Sequence, residues 1–131
     1  MSFIKPFSKF VNEEYQIGPY VKDIDKDTIE NEDYRRVIFT GEKLQIVLMN
    51  LKPGQEIGGE VHEHGDQFLR FEQGEGIVII GETEYQIFEN FGVAIPAGEF
   101  HNVINTGSDD LKLYSIYAPP EHPSNTVQQD K

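Results

Sequence analysis

Histidine is scarce in this chain. Its 131 residues contain only four: His62, His64, His101 and His122. Three of them fall in two short stretches rich in glycine and turn-forming residues, GGEVHEHGDQF (58–68) and PAGEFHNVIN (96–105). Imidazole is the commonest metal ligand, and the first stretch sets the oxygen donors Glu60, Glu63, Asp66 and Gln67 beside it. Glu60 with His62, or His62 with His64, is spaced i, i+2, so either pair projects to one face of an extended strand. There is no cysteine, which excludes disulfides, zinc fingers, iron–sulfur sites and a thiol nucleophile. The expected cofactor is one divalent metal ion: iron, manganese, nickel, cobalt or zinc, which ligand type alone does not separate.

Strands are the elements available to position these residues. Helical periodicity is nearly absent, and short runs of β-branched and aromatic residues alternate with Gly, Asn and Pro punctuation. The runs are RRVIFT (35–40), LQIVLMNL (44–51), DQFLRFE (66–72), GIVII (76–80), EYQIF (84–88), GVAIP (92–96), HNVIN (101–105) and LKLYSIYAPP (111–120). Their even spacing predicts an all-β sandwich or barrel with little or no helix, beyond a possible turn within residues 8–16. The length suits a single domain. We divide it into an N-terminal arm (1–30), a barrel (31–118) and a polar tail (119–131). The tail is proline-broken and expected to be loose, with His122 on the surface. The arm carries Phe3, Phe7, Phe10, Tyr15 and Tyr20, which need cover from the barrel's outside or from a second subunit.

Charge narrows the partners. The formal net charge is −12, a surface that repels phosphate backbones and anionic lipids, so neither nucleic acid nor membrane is expected. No run of 18 apolar residues is present, and the N-terminus does not read as a signal peptide, so a cytoplasmic location is expected.

The glycine frame around the histidines carries further information. The first segment reads Gly54, five residues, Glu60-Val61-His62, four residues, Gln67, six residues, Gly74. The second reads Pro96-Ala97-Gly98-Glu99-Phe100-His101, three residues, Asn105. Together they resemble the two motifs of the cupin superfamily, G(X)5HXH(X)3–4E(X)6G and G(X)5PXG(X)2H(X)3N, with the short gap of small microbial cupins. The resemblance implies a double-stranded β-helix, or jelly-roll barrel, and a homodimer paired through its sheets. It puts Glu60 where the family has its first histidine and Gln67 where it has glutamate. The second motif's leading glycine becomes Asn90, which tolerates left-handed backbone. The alternative register, with His62 and His64 as the HXH pair, misplaces both glycine and glutamate.

The resemblance therefore implies a metal site of Glu60, His62, Gln67 and His101, with His64 at the rim as the alternative ligand. Gln67 either lends an amide oxygen or orients a ligand or water. Glu56 shares the sequence parity of Glu60 and is expected near the barrel mouth as an acid or base. Tyr114 and Tyr117 lie on the closing strand, and Tyr117 is taken as the one whose phenol meets a small-molecule substrate. A glutamine at the Gln67 position also occurs in cupins that linearise unsaturated uronates and in cupin hydroxynitrile lyases, although those families have histidine in place of Glu60. This implies a non-oxidative isomerase, epimerase or lyase acting on a small sugar-like or carboxylate substrate. The alternatives are a non-haem iron dioxygenase, from the set of two histidines and one carboxylate, and a cupin that binds its ligand without turning it over.

Overall fold

The computed structural model describes residues 18–131. The turn expected within residues 8–16 and the aromatics Phe3, Phe7, Phe10 and Tyr15 lie outside this range. Nine strands follow a short helix: α1 (Ile24–Glu30), β1 (Arg35–Thr40), β2 (Gln45–Leu51), β3 (Asp66–Gln73), β4 (Gly76–Ile80), β5 (Thr83–Ile87), β6 (Gly92–Ile95), β7 (His101–Asn105), β8 (Leu111–Ala118) and β9 (Val127–Gln128). The eight runs expected from the sequence are all strands.

They form two antiparallel sheets, ordered β6-β3-β8-β2-β1-β9 and β5-β4-β7. The core lies between them. Along β8, Leu111, Leu113, Ser115 and Tyr117 alternate inward and are all buried. They meet Val47 and Met49 of β2, Leu69 and Phe71 of β3, Val78 of β4 and Val103 of β7. Alternation on the long sheet is thus what turns apolar side chains at one end, and Gln67, Ser115 and Tyr117 at the other, into a single interior.

Helix α1 lies against β2, β3 and β8. Asp23 caps it, its carboxylate accepting the Lys26 amide at 3.1 Å. Only Thr28 is buried in its seven residues, so the segment carries no apolar stripe for a 3.6-residue period to reveal. The C-terminal residues correct another expectation. They are not a loose tail. Val127 and Gln128 pair with Arg36 and Arg35, and the wholly buried Gln45 holds residues 121–122 in place. These contacts are long-range and leave no periodic trace in a polar sequence. Among the described residues no helix is long and apolar enough to cross a membrane.

The motif residues outside the ligand set shape the turns. Asn90 has φ +73, the left-handed backbone expected where the motif carries glycine. Asn105 is buried; its amide donates to the carbonyls of Leu51 and Asp109, each at 2.9 Å, and its oxygen accepts the Gly107 amide. Gly74 has φ +94, and a Cβ there would lie 2.8 Å from the Asp110 carbonyl oxygen. Gly54 has φ +84 but open space around the same position. Gly54→Ala should therefore cost only the left-handed backbone penalty, about 1–2 kcal/mol. Gly74→Ala should cost at least about 1 kcal/mol more, because backbone must also move. Urea unfolding of both variants, giving equal losses, would show that the Gly74 contact is absent.

Candidate metal centre

A backbone pair sets the two histidine-bearing segments against each other. The Glu60 amide donates to the His101 carbonyl and the His101 amide donates to the Glu60 carbonyl, both at 2.9 Å. Residues opposed in this way carry their side chains on the same face. His62, two residues on in extended chain, follows Glu60 to that face. The turn that comes next is pinned by the Gly98 amide, which donates to the His62 carbonyl at 2.8 Å, and by Asp66, whose carboxylate accepts the Ala97 amide at 2.9 Å.

Glu60, His62 and His101 converge as a result, with one potential ligand atom from each lying within 4.8 Å of the others. Glu60 Oε1 stands 3.4 Å from His62 Nε2 and 3.8 Å from His101 Nε2. Two atoms each about 2.1 Å from one ion are separated by roughly 3.0 Å at a right angle and 3.4 Å at the tetrahedral angle, so the cluster is close to the right size. The His101 Nδ1 sits 3.1 Å from the Glu99 carbonyl oxygen. A carbonyl only accepts, so the neutral ring carries its proton on Nδ1 and turns a lone pair on Nε2 toward Glu60. Both Nε2 atoms are buried and neither has a hydrogen-bond partner; the 3.4 Å contact of His62 with Glu60 lacks hydrogen-bond geometry. Buried unpaired polar atoms are costly, and two beside a carboxylate oxygen form a donor set that a divalent cation satisfies.

Gln67 is buried on β3 beside Tyr117 of β8. Its amide donates to Ser115 Oγ at 2.9 Å, which leaves Oε1 as another buried, unpartnered atom. With its nitrogen turned to Ser115, the amide leaves its oxygen as a potential donor atom. Tyr117 is 3 % exposed, with its ring edge-on to His62 at 5.6 Å between centroids. Burial, reinforced by the Glu60 charge, pushes its phenol up to about 12.

Two residues expected at or near the site stand away from it. His64 is exposed within the turn that follows His62, where strand alternation has ended. Glu56 faces the other way. It pairs with Ile104 while Glu60 pairs with His101, so Ile57, Gly58 and Gly59 stand against only Asn102 and Val103. That extra residue reverses the parity on which Glu56 was placed. Gly58 takes φ +106 at the break, a conformation suited to glycine. Ile57 packs on the core, and the Glu56 carboxylate instead accepts the Asn102 side-chain amide at 2.8 Å. The glycine pair was the available signal for this break.

Two residues that sequence reasoning passed over stand beside the cluster. Glu121 Oε2 lies 3.4 Å from His62 Nδ1. His122, expected on the surface, is partly buried with its ring 5.2 Å from that of Tyr117, and its Nε2 is buried without a partner. Burial, with the positive charge of Arg35, pushes the His122 imidazole down to about 4, so it is neutral at pH 7.

Comparison with known proteins bears on this arrangement. The family model for the cupin domain matches residues 47–117. An uncharacterized protein of Bacillus subtilis is 44 % identical over 124 residues, covering 90 % of this chain and 67 % of that protein. An uncharacterized protein of Acanthamoeba polyphaga mimivirus is 41 % identical over 112 residues, covering 82 % and 70 %. A crystal structure from Bacillus halodurans matches with a TM-score of 0.85 and 45 % identity, covering 86 % of this chain and 90 % of that one.

The geometry predicts which substitutions empty the centre. Glu60→Ala, His62→Ala and His101→Ala should each lower the metal content of purified protein several-fold, and His64→Ala should leave it unchanged. Elemental analysis of the four variants checks this; loss in His64→Ala with retention in Glu60→Ala would reverse the ligand assignment.

Proposed function

Because the chain belongs to the cupin family, sharing its domain over residues 47–117 and aligning with more than two thirds of its own length to two curated relatives, we propose that it is a metal-dependent, non-oxidative enzyme. The reaction class is isomerisation, epimerisation or elimination on a small sugar-like or carboxylate substrate. The observation that carries this reading is the juxtaposition of a partly buried lone-pair cluster with a buried phenol, Glu60, His62 and His101 beside Tyr117. When bound, a divalent ion supplies a Lewis acid that polarises a carbonyl or hydroxyl oxygen. Glu60, His62 and His101 would hold it, with Gln67 Oε1 as a further oxygen donor.

The remaining side chains act on the substrate. A phenol is protonated at neutral pH in any case, so Tyr117 donates a hydrogen bond, or a proton, to a substrate oxygen on which charge develops. Arg35 favours the carboxylate among the two substrate classes. Its guanidinium lies 5.1 Å from the Tyr34 ring centre and donates through Nη1 to the Gln128 side chain, while its Nε is buried without a partner.

A second reading keeps the same ligands and changes the chemistry. Two imidazoles and one carboxylate are also the donor set of the non-haem Fe(II) oxygenases. Oxygen separates the two. Protein loaded with Fe(II), Mn(II), Ni(II), Co(II) or Zn(II) is assayed against small hydroxy acids, keto acids and sugars, with and without air. Turnover without air is the expected result, and Tyr117→Phe should lower kcat by about 10²- to 10⁴-fold with metal content unchanged. Oxygen uptake coupled to substrate loss on the Fe(II) protein alone would replace this reading with the oxygenase. Saturable binding with no conversion on any metal would leave a non-catalytic binding protein.

A further inference from the structure

We infer that Glu121, carried back to the barrel by the C-terminal segment, is the positioning residue of His62 in the metal centre. The inference rests on the reading of Glu60, His62 and His101 as ligands and adds a residue from beyond positions 47–117, the range that the cupin domain matches.

Three observations carry it. The first is where Glu121 sits. Its Oε2 approaches His62 Nδ1 at 3.4 Å, while the opposite edge of the same ring, Nε2, faces Glu60 Oε1 at 3.4 Å. Glu121 is thus on the wrong side of the ring to share an ion with Nε2, and on the right side to hold the ring. At 3.4 Å this contact, like that of Nε2 with Glu60, lacks hydrogen-bond geometry; a small turn of the exposed carboxylate would align and shorten it toward the Nδ1–H group. The second is the matching arrangement at the other histidine. His101 Nδ1 lies 3.1 Å from the Glu99 carbonyl oxygen, with its own Nε2 turned to Glu60. Each imidazole therefore has an oxygen acceptor behind it and a free Nε2 in front. Such acceptors fix the tautomer and raise ligand basicity, and a carboxylate does so more strongly than a carbonyl.

The third is that the position of Glu121 is built. Gln45 is wholly buried, and its oxygen accepts the amides of both Glu121 and His122, at 3.0 and 2.9 Å. Its nitrogen donates to the His122 carbonyl at 2.7 Å and to Thr40 Oγ1 at 2.9 Å. A glutamine whose side chain is fully satisfied in this way spends most of its bonds on one turn of chain, and that turn presents a carboxylate to His62. Glu121 is itself largely exposed, with 42 % of its side-chain surface accessible. Its removal empties a partly solvent-exposed position and takes no hydrogen bond from a buried group.

The test is the affinity of the full chain for Zn²⁺, measured by competition with a chromophoric chelator, alongside the melting temperature of the metal-free protein. Glu121→Ala should weaken Zn²⁺ binding by about 10- to 100-fold with the metal-free melting temperature within about 2 °C of wild type. Glu121→Gln, which keeps a neutral acceptor, should recover part of that loss. Binding by Glu121→Ala within about twofold of wild type overturns the positioning role while leaving the ligand assignment standing. Equal losses in both variants, accompanied by a lower metal-free melting temperature, make Glu121 a structural residue and also overturn it. A wild-type chain that binds no Zn²⁺ overturns the ligand assignment itself and this inference with it.

Discussion

The pair of amide hydrogen bonds between Glu60 and His101 is the contact on which the rest of the site depends. It is a main-chain interaction between segments about forty positions apart, and it sets the local register in which Glu60 lies opposite His101. Opposed residues of such a pair share a face, so a carboxylate and an imidazole arrive together without either side chain having to find the other. His62 then follows by alternation. The Gly98 amide and the Asp66 carboxylate hold the same corner from outside, which limits how far His62 can turn away.

Polar residues around that corner divide into two groups. Asn102, Asn105 and Gln45 spend their hydrogen bonds on backbone or on neighbouring side chains, and each keeps a turn or a chain crossing in place. His62, His101 and Gln67 each keep one buried atom without a partner at the site. Folding alone gains nothing from that second pattern, since a buried unpaired acceptor costs about 1–3 kcal/mol. Around this corner, satisfied amides build the walls, and the lone pairs of His62 and His101 converge on Glu60 as a candidate binding centre.

The exchange of charge within the centre has a physical consequence. Where cupins carry histidine at the first motif position and glutamate at the third, this chain carries Glu60 and Gln67. The candidate donor set still bears a single negative charge, but the charge now belongs to a partly exposed residue paired to His101, not to a buried one beside Tyr117. Gln67, relieved of charge, bonds to Ser115 and can lie buried without the desolvation penalty of a carboxylate. Tyr117 next to it is accordingly raised mainly by burial, with the Glu60 charge as the lesser cause.

Much of this was legible in the chain itself. Alternating apolar residues between turn signals specify eight strands, because burial on one face of a sheet demands a period of two. Left-handed turns demand glycine or asparagine, so the Gly54–Gly74 and Asn90–Gly98 frames could be read as turns that set the ligand spacing. What depended on long-range contacts was not legible. Helix α1 buries one side chain and so carries no stripe. Glu56 kept the parity of Glu60 on paper, and only the extra residue at Gly58–Gly59, seen once β7 lies alongside, sends it to the opposite face. Glu121 and His122 looked like tail because they carry no apolar pattern; three hydrogen bonds from the side chain of Gln45, some seventy-six positions away, bring them to His62 and Tyr117. The sequence by itself determined eight of the nine strands, the turns between them and the candidate donor types, which local sterics, burial and residue chemistry decide. Tertiary structure decided which carboxylates face the histidines, because that depends on register between distant segments, and a shift of one residue reverses every side chain.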